Sequence, residues 1–172
     1  MFARPRKLDS EDELYEAALR ALMRRAHSVE EMKRKLSKRS TNELLVRVVL
    51  ARLKENGQLD DERFAKQFAR TRSEGRKLGR FRIARDLRAR GVADRHIRLA
   101  LGDAADIEAG LVRERITRTF RAGAGKSLEK RLASVYRSLL AAGFPADLIR
   151  RELKTFTREE LPAADADDAS LL

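Results

Sequence analysis

Residues 52 apart in the middle and last thirds of this chain match in kind: Phe64/Ile116, Phe68/Phe120, Ile83/Val135, Leu87/Leu139, Gly91/Gly143, Val92/Phe144, Ile97/Ile149 and Leu101/Leu153. The first third joins at an offset of 51 through Leu36/Leu87, Val46/Ile97 and Leu50/Leu101, with Ser40 and Thr41 standing where the later units have Gly and an apolar residue. Within each unit the apolar residues recur every three to four positions, the period of a helix with one buried face. Strand signals are nearly absent: β-branched runs are few, and no Asn-Gly hairpin separates alternating segments. A three-helix unit of about 50 residues buries too little surface alone and gains a core by stacking on its neighbours. The expected fold is therefore all-α: three tandem three-helix repeats, each a helix-turn-helix-like module, in an extended array.

Helix starts are marked by capping boxes at Ser10-x-x-Glu13, Ser28-x-x-Glu31 and Ser40-x-x-Glu43, where hydroxyl and carboxylate satisfy first-turn amides. Leu14, Ala18 and Leu22 give the first helix one apolar face, and Val29, Met32 and Leu36 do the same for the second. The third carries Leu44, Leu45, Val46, Val48, Val49, Leu50 and Leu53, apolar nearly all round, and reads as a central helix ending at Asn56-Gly57. Asp60 or Asp61 caps a fourth helix with Phe64 and Phe68 on its buried edge, broken at Gly75 to Gly79. A fifth helix buries Ile83, Ala84 and Leu87 and stops at Gly91. The sixth carries Ile97, Ala100 and Leu101. Three more follow, with Val112, Ile116 and Phe120, then Leu128, Leu132, Val135 and Leu139, and a last one opened by Pro145. This divides the chain into a flexible N-terminus (1–9), repeats at 10–57, 58–102 and 111–158, a connector (103–110) and an acidic, disordered tail (159–172).

There is no Cys, so disulfides, thiolate zinc sites and cysteine nucleophiles are excluded. The first ten residues lack an apolar core, and no later run nears the roughly 18 apolar residues of a membrane span, so the reading is cytoplasmic. No cofactor or metal is expected. His27 and His96, the only imidazoles, lie in different repeats without an acidic cluster, and each reads as a helix-end or surface residue. Asp60-Asp61-Glu62 reads as first-turn acids, not a metal pair. Gly123-Ala-Gly125-Lys126-Ser127 lacks the full glycine spacing of a phosphate loop and reads as an interhelical turn. No catalytic constellation remains, and the chain is not expected to be an enzyme.

Charge is the informative feature. The formal net charge is +12, and from Glu62 to Leu101 thirteen Lys and Arg face four Asp and Glu. A solvated helix face normally mixes signs, so this excess implies an anionic partner, and Arg in place of Lys favours bidentate contacts to carboxylate or phosphate. The expected partner-binding residues are Arg72, Arg76, Lys77, Arg80, Arg82, Arg85, Arg88, Arg95 and Arg98. The spacing Leu87-x-x-x-Gly91-Val92-x-x-x-x-Ile97 also suits a helix-turn-helix, so a DNA-binding regulator with tandem modules is the rival reading. Against it, the following helix opens Asp94-Arg-His, and the same turn recurs from Gly143 without a basic front. A structural adaptor that binds protein and ignores DNA is a third reading. Platforms for single strands look scarce: there is no Trp, and Phe64, Phe68, Phe120 and Phe144 sit where a core needs them.

The stretch Leu50-Ala-Arg-Leu-Lys-Glu-Asn-Gly-Gln-Leu-Asp60-Asp-Glu-Arg-Phe-Ala-Lys-Gln-Phe68 resembles the signature of the RecX family. Ser28-Val-Glu-Glu-Met-Lys-Arg-Lys-Leu36 and Gly79-Arg-Phe-Arg-Ile-Ala-Arg-Asp-Leu-Arg-Ala-Arg-Gly-Val92 are similar to it as well, so the likeness runs from about Leu14 to Leu101. The departures are Ser40-Thr41 and Gln58. The resemblance implies an elongated, curved array of three repeats that is not an enzyme. It implies binding to the RecA filament on single-stranded DNA, limiting ATP hydrolysis, strand exchange and filament growth in recombination and repair. The chain would act as a monomer, with weak direct DNA binding, and the basic second repeat would contact acidic recombinase surface or phosphate.

Overall fold

A computed structural model describes residues 7–102, 105–122 and 127–160. Among them are nine α-helices and no strand: α1 (Glu11–Arg24), α2 (Val29–Ser37), α3 (Glu43–Glu55), α4 (Asp61–Arg70), α5 (Arg80–Ala89), α6 (Asp94–Leu101), α7 (Ala105–Ala122), α8 (Leu128–Ala141) and α9 (Ala146–Glu160). A π-helical turn, Thr71–Gly75, extends α4. None of the described helices is long and apolar enough to cross a membrane. Most repeat-matched residues are buried: Leu36, Ile83, Leu87, Ile97, Val135, Leu139 and Ile149 are each essentially inaccessible, while Phe68 and Leu101 are half-buried. The acidic tail beyond Glu160, residues 1–6 and the glycine turn at 123–126 lie outside the described residues.

Three starts differ in their chemistry. Ser10 accepts from the Glu13 amide, and Ser28 and Glu31 form a complete capping box. The third expected box does not form. Asn42 caps α3 through the Leu45 amide, while the buried Ser40 Oγ accepts from the Asn42 amide at 3.2 Å and closes the turn instead. Nor is α3 central on all sides: Val46, Val49, Leu50 and Leu53 are buried, but Leu44 is 65% and Val48 42% exposed. One helix face is enough to meet α1 and α2, so the extra apolar residues face outward. Likewise Gly110 does not lie in a connector. Helix α7 starts at Ala105 and runs through it, and its added turns carry the buried Glu108 to a partner described below. Residues 103 and 104 of that expected connector lie outside the described residues.

The fold divides into two compact units, Met1–Ala69 with Asp86–Ala100, and Arg70–Arg85 with Leu101–Leu172. In the first, α1, α2 and α3 enclose Leu14, Ala18, Met32, Leu36, Val49 and Leu53. In the second, α7, α8 and α9 enclose Val112, Ile116, Leu132, Leu139, Phe144 and Ile149.

Each unit contains a joint of the same design. In the first unit, Ser28 Oγ donates to the Arg90 carbonyl at 2.5 Å, and Gly91, at φ +76°, packs so closely on Glu30 that a Cβ would collide with it. In the second unit, the Gly79 amide donates to the Ala142 carbonyl at 2.9 Å, and Gly143, at φ +89°, leaves no room for a Cβ against the Arg82 backbone. Arg90 and Ala142 are 52 apart. At Arg39, 51 before Arg90, the carbonyl accepts from the Leu8 amide at 2.8 Å, and Leu8 is buried. The carbonyl before the turn is therefore satisfied in all three repeats by a donor from an earlier stretch of chain, as buried backbone groups require.

Candidate functional site

The acidic pair at the start of α4 is structural. Asp60 Oδ1 accepts from the Glu62 and Arg63 amides at 2.9 and 3.0 Å, capping its own helix. Those bonds, the Arg63 amide first, hold its carboxyl below the ordinary carboxylate range. Asp61 reaches instead to α2, accepting from the Val29 amide at 2.8 Å. No group of three His, Asp or Glu placed to hold a metal occurs among the described residues.

His27 stands at a helix end, next to the Ser28 cap of α2, and is not a surface residue. It is 6% exposed and shares a 2.9 Å hydrogen bond between Nδ1 and the Arg25 carbonyl. Burial lowers its pKa from the ordinary 6.5, and the Arg25 and Lys35 charges add to this, while the Arg25 carbonyl and Glu31 oppose it. His96 lies half-buried in α6, its Nε2 within 3.2 Å of Arg95 Nε.

The expected cations divide by unit and by environment. Arg72, Arg76, Lys77, Arg80, Arg82 and Arg85 belong to the second unit, and Arg88, Arg95 and Arg98 to the first. Arg80 is built into the frame: its amide and Nε both donate to Glu108, whose carboxylate is 3% exposed. A buried carboxylate needs such a counter-charge, so this guanidinium is committed to holding α5 on α7. Lys77 pairs with Glu114 at 3.4 Å, and Arg72 is half-buried within the π-turn, its carbonyl accepting from the Leu78 amide. Arg76, Arg82 and Arg85 are exposed. On the other unit Arg88 meets Asp94 at 2.8 Å, and Arg95 and Arg98 are exposed.

Two residues in the stretch have roles that sequence spacing does not reveal. Arg90 pairs with Glu31 at 2.6 Å and lies over the Phe68 ring, so it braces the first joint. Phe81, one position after Arg80, is not a core aromatic: it is 60% exposed. The signal available for it was its place in the repeat, since Glu30 and Ala133 stand at the matching positions, where no core residue is needed.

Residues 60–101 match the family model for the second three-helix domain of RecX. The chain is 41% identical over 154 residues to the regulatory protein RecX of Halorhodospira halophila, covering 89% of both chains. It is 36% identical over 136 residues to that of Chromobacterium violaceum, covering 79% of this chain and 86% of the relative. In fold it is similar to the crystal structure of RecX from Lactobacillus salivarius, with a TM-score of 0.80 and 19% identity over 86% of this chain and 97% of that one. A second RecX crystal structure aligns with a TM-score of 0.76 over 83% of this chain and 72% of that one. With identity at this level across nine-tenths of its length, the chain belongs to the RecX family of regulatory proteins.

Proposed function

We propose that this protein binds the filament that a RecA recombinase forms on single-stranded DNA and restrains its ATP hydrolysis, strand exchange and extension. The observation that supports this is the distribution of cations over residues 60–101: the apolar side of α5 is buried, while Arg82, Arg85, Arg88, Arg95 and Arg98 are exposed. An assembled filament offers both acidic protein surface and phosphate, and guanidinium groups meet either one bidentately. The protein performs no chemistry in this reading. It acts as a monomer in the cytoplasm by binding one state of the filament better than others, and can shift the equilibrium only by that difference in affinity. Weak direct DNA binding accompanies it, and the acidic residues of the C-terminal tail screen the basic repeat.

The test is ATP hydrolysis by the host recombinase on single-stranded DNA, titrated with the protein. Inhibition at amounts well below one per recombinase is the expected result. Unchanged hydrolysis together with tight duplex binding would overturn the proposal in favour of a DNA-binding regulator.

A further inference from the structure

The ring of Phe81 is the one aromatic of the second repeat that the fold does not use. It is 60% exposed, whereas Phe64 is buried and Phe68 lies under Arg90. The matching residues in the other repeats are Glu30 and Ala133, so stacking of repeats does not demand an aromatic here. Its surroundings on the outward side of α5 are cationic: Arg82 follows it directly, Arg85 lies four residues on, and both are exposed. Residues three and four apart on a helix are neighbours, so Arg85 lies on the same face as both the Phe81 ring and the Arg82 side chain.

The backbone that carries the ring is anchored. The Phe81 amide donates to the Gly143 carbonyl at 3.0 Å, the preceding amide donates to Glu108, and the Arg82 backbone is in contact with Gly143. A backbone held this way presents the ring without having to rearrange on binding.

We infer that Phe81, Arg82 and Arg85 form a contact for single-stranded nucleic acid, in which the ring stacks on one base while the guanidiniums take the neighbouring phosphates. A protein partner fits less well. Interface anchors gather in apolar clusters that exclude water, and Phe81 is the single large apolar residue exposed on α5. A base has a flat apolar face with an anionic backbone on its edge, which is the complement of this arrangement, and duplex DNA hides that face. The inference names a ligand for part of the basic surface invoked above and is independent of whether the recombinase is inhibited.

The test compares the full-length protein with Phe81→Ala and Phe81→Leu, using fluorescence anisotropy of a labelled oligodeoxythymidylate and of an abasic oligomer of equal length. The parent should prefer the thymidylate oligomer, and both variants should lose at least about fivefold in affinity for it with no change on the abasic one. Because the ring is exposed, the variants should unfold at the parent's temperature, which a melt verifies. Equal binding of the two oligomers by the parent, or parental thymidylate affinity in both variants, overturns the inference. Recombinase ATP hydrolysis is read in parallel. If Phe81→Ala abolishes inhibition while thymidylate binding stays parental, the ring is a protein contact: the nucleic-acid assignment fails and the filament reading survives.

Discussion

Ser28 illustrates how much a single hydroxyl can carry. It accepts from the Glu31 amide at 3.0 Å as the cap of α2 and donates to the Arg90 carbonyl at 2.5 Å. The capping role is legible in Ser-x-x-Glu spacing. The second role is not, because the acceptor is a backbone carbonyl 62 residues away. Ser28→Ala should cost about 2 kcal/mol, a cap of about 1 kcal/mol plus a buried carbonyl left without its donor, measured by urea unfolding. The adjacent His27 sets a pH dependence. Burial lowers its folded pKa from 6.5, so below that pH the unfolded chain binds the proton more readily than the folded one. Stability should therefore fall as pH drops through about 6.5 toward the lowered value. Glu31 adds to the fall at lower pH: burial pushes its pKa up, but the Arg25 bond and charge, the Ser28 amide and Arg90 outweigh this and bring it below 4.5. Thermal melts near pH 7.5 and near pH 5.5 should differ less for His27→Gln than for the parent. An unchanged slope would remove His27 from the account.

At the scale of elements, the decisive feature is the first turn of α5. Its amides find partners outside the helix: Gly79 at Ala142, Arg80 at Glu108 and Phe81 at Gly143. Helix starts leave such donors unpaired, and here the α8–α9 turn and α7 supply the acceptors. The periodicity of Ile83 and Leu87 made α5 and its buried face legible, but a bond between Arg80 and a glutamate 28 residues on leaves no trace in spacing. That bond explains why Arg80, indistinguishable in sequence from Arg82, is structural. The glycines separate in the same way. Gly143→Ala places a Cβ at φ +89° against the Arg82 backbone and should destabilise by more than about 2 kcal/mol. Gly110, inside α7 with open space around it, should respond oppositely, Gly110→Ala raising stability by about 0.5–1 kcal/mol. Equal effects of the two substitutions in urea unfolding would contradict the assignment of the joint.

At the scale of the whole molecule, the repeat organisation was readable because a hydrophobic period is imposed on every helix that buries one face. The offsets of 51 and 52 locate not only the core residues but also the equivalent carbonyls of Arg39, Arg90 and Ala142. The basic stretch was readable as an excess of charge, whereas the commitment of Arg80 to the frame depends on the buried Glu108, whose place beside it sequence distance conceals. Reversal of Arg82, Arg85 and Arg88 to Glu should weaken inhibition of the recombinase at least about tenfold, with a thermal melt verifying that the variant is folded. Inhibition at the parental level would remove them from the interface while leaving family membership untouched. The central claim is that the partner is the assembled filament. Its most direct test is the affinity of the labelled protein, at one salt concentration, for the recombinase–DNA filament, for the recombinase alone and for the naked single strand. Tighter binding to the filament than to either component is the predicted result. Equal or tighter binding to naked DNA would contradict it.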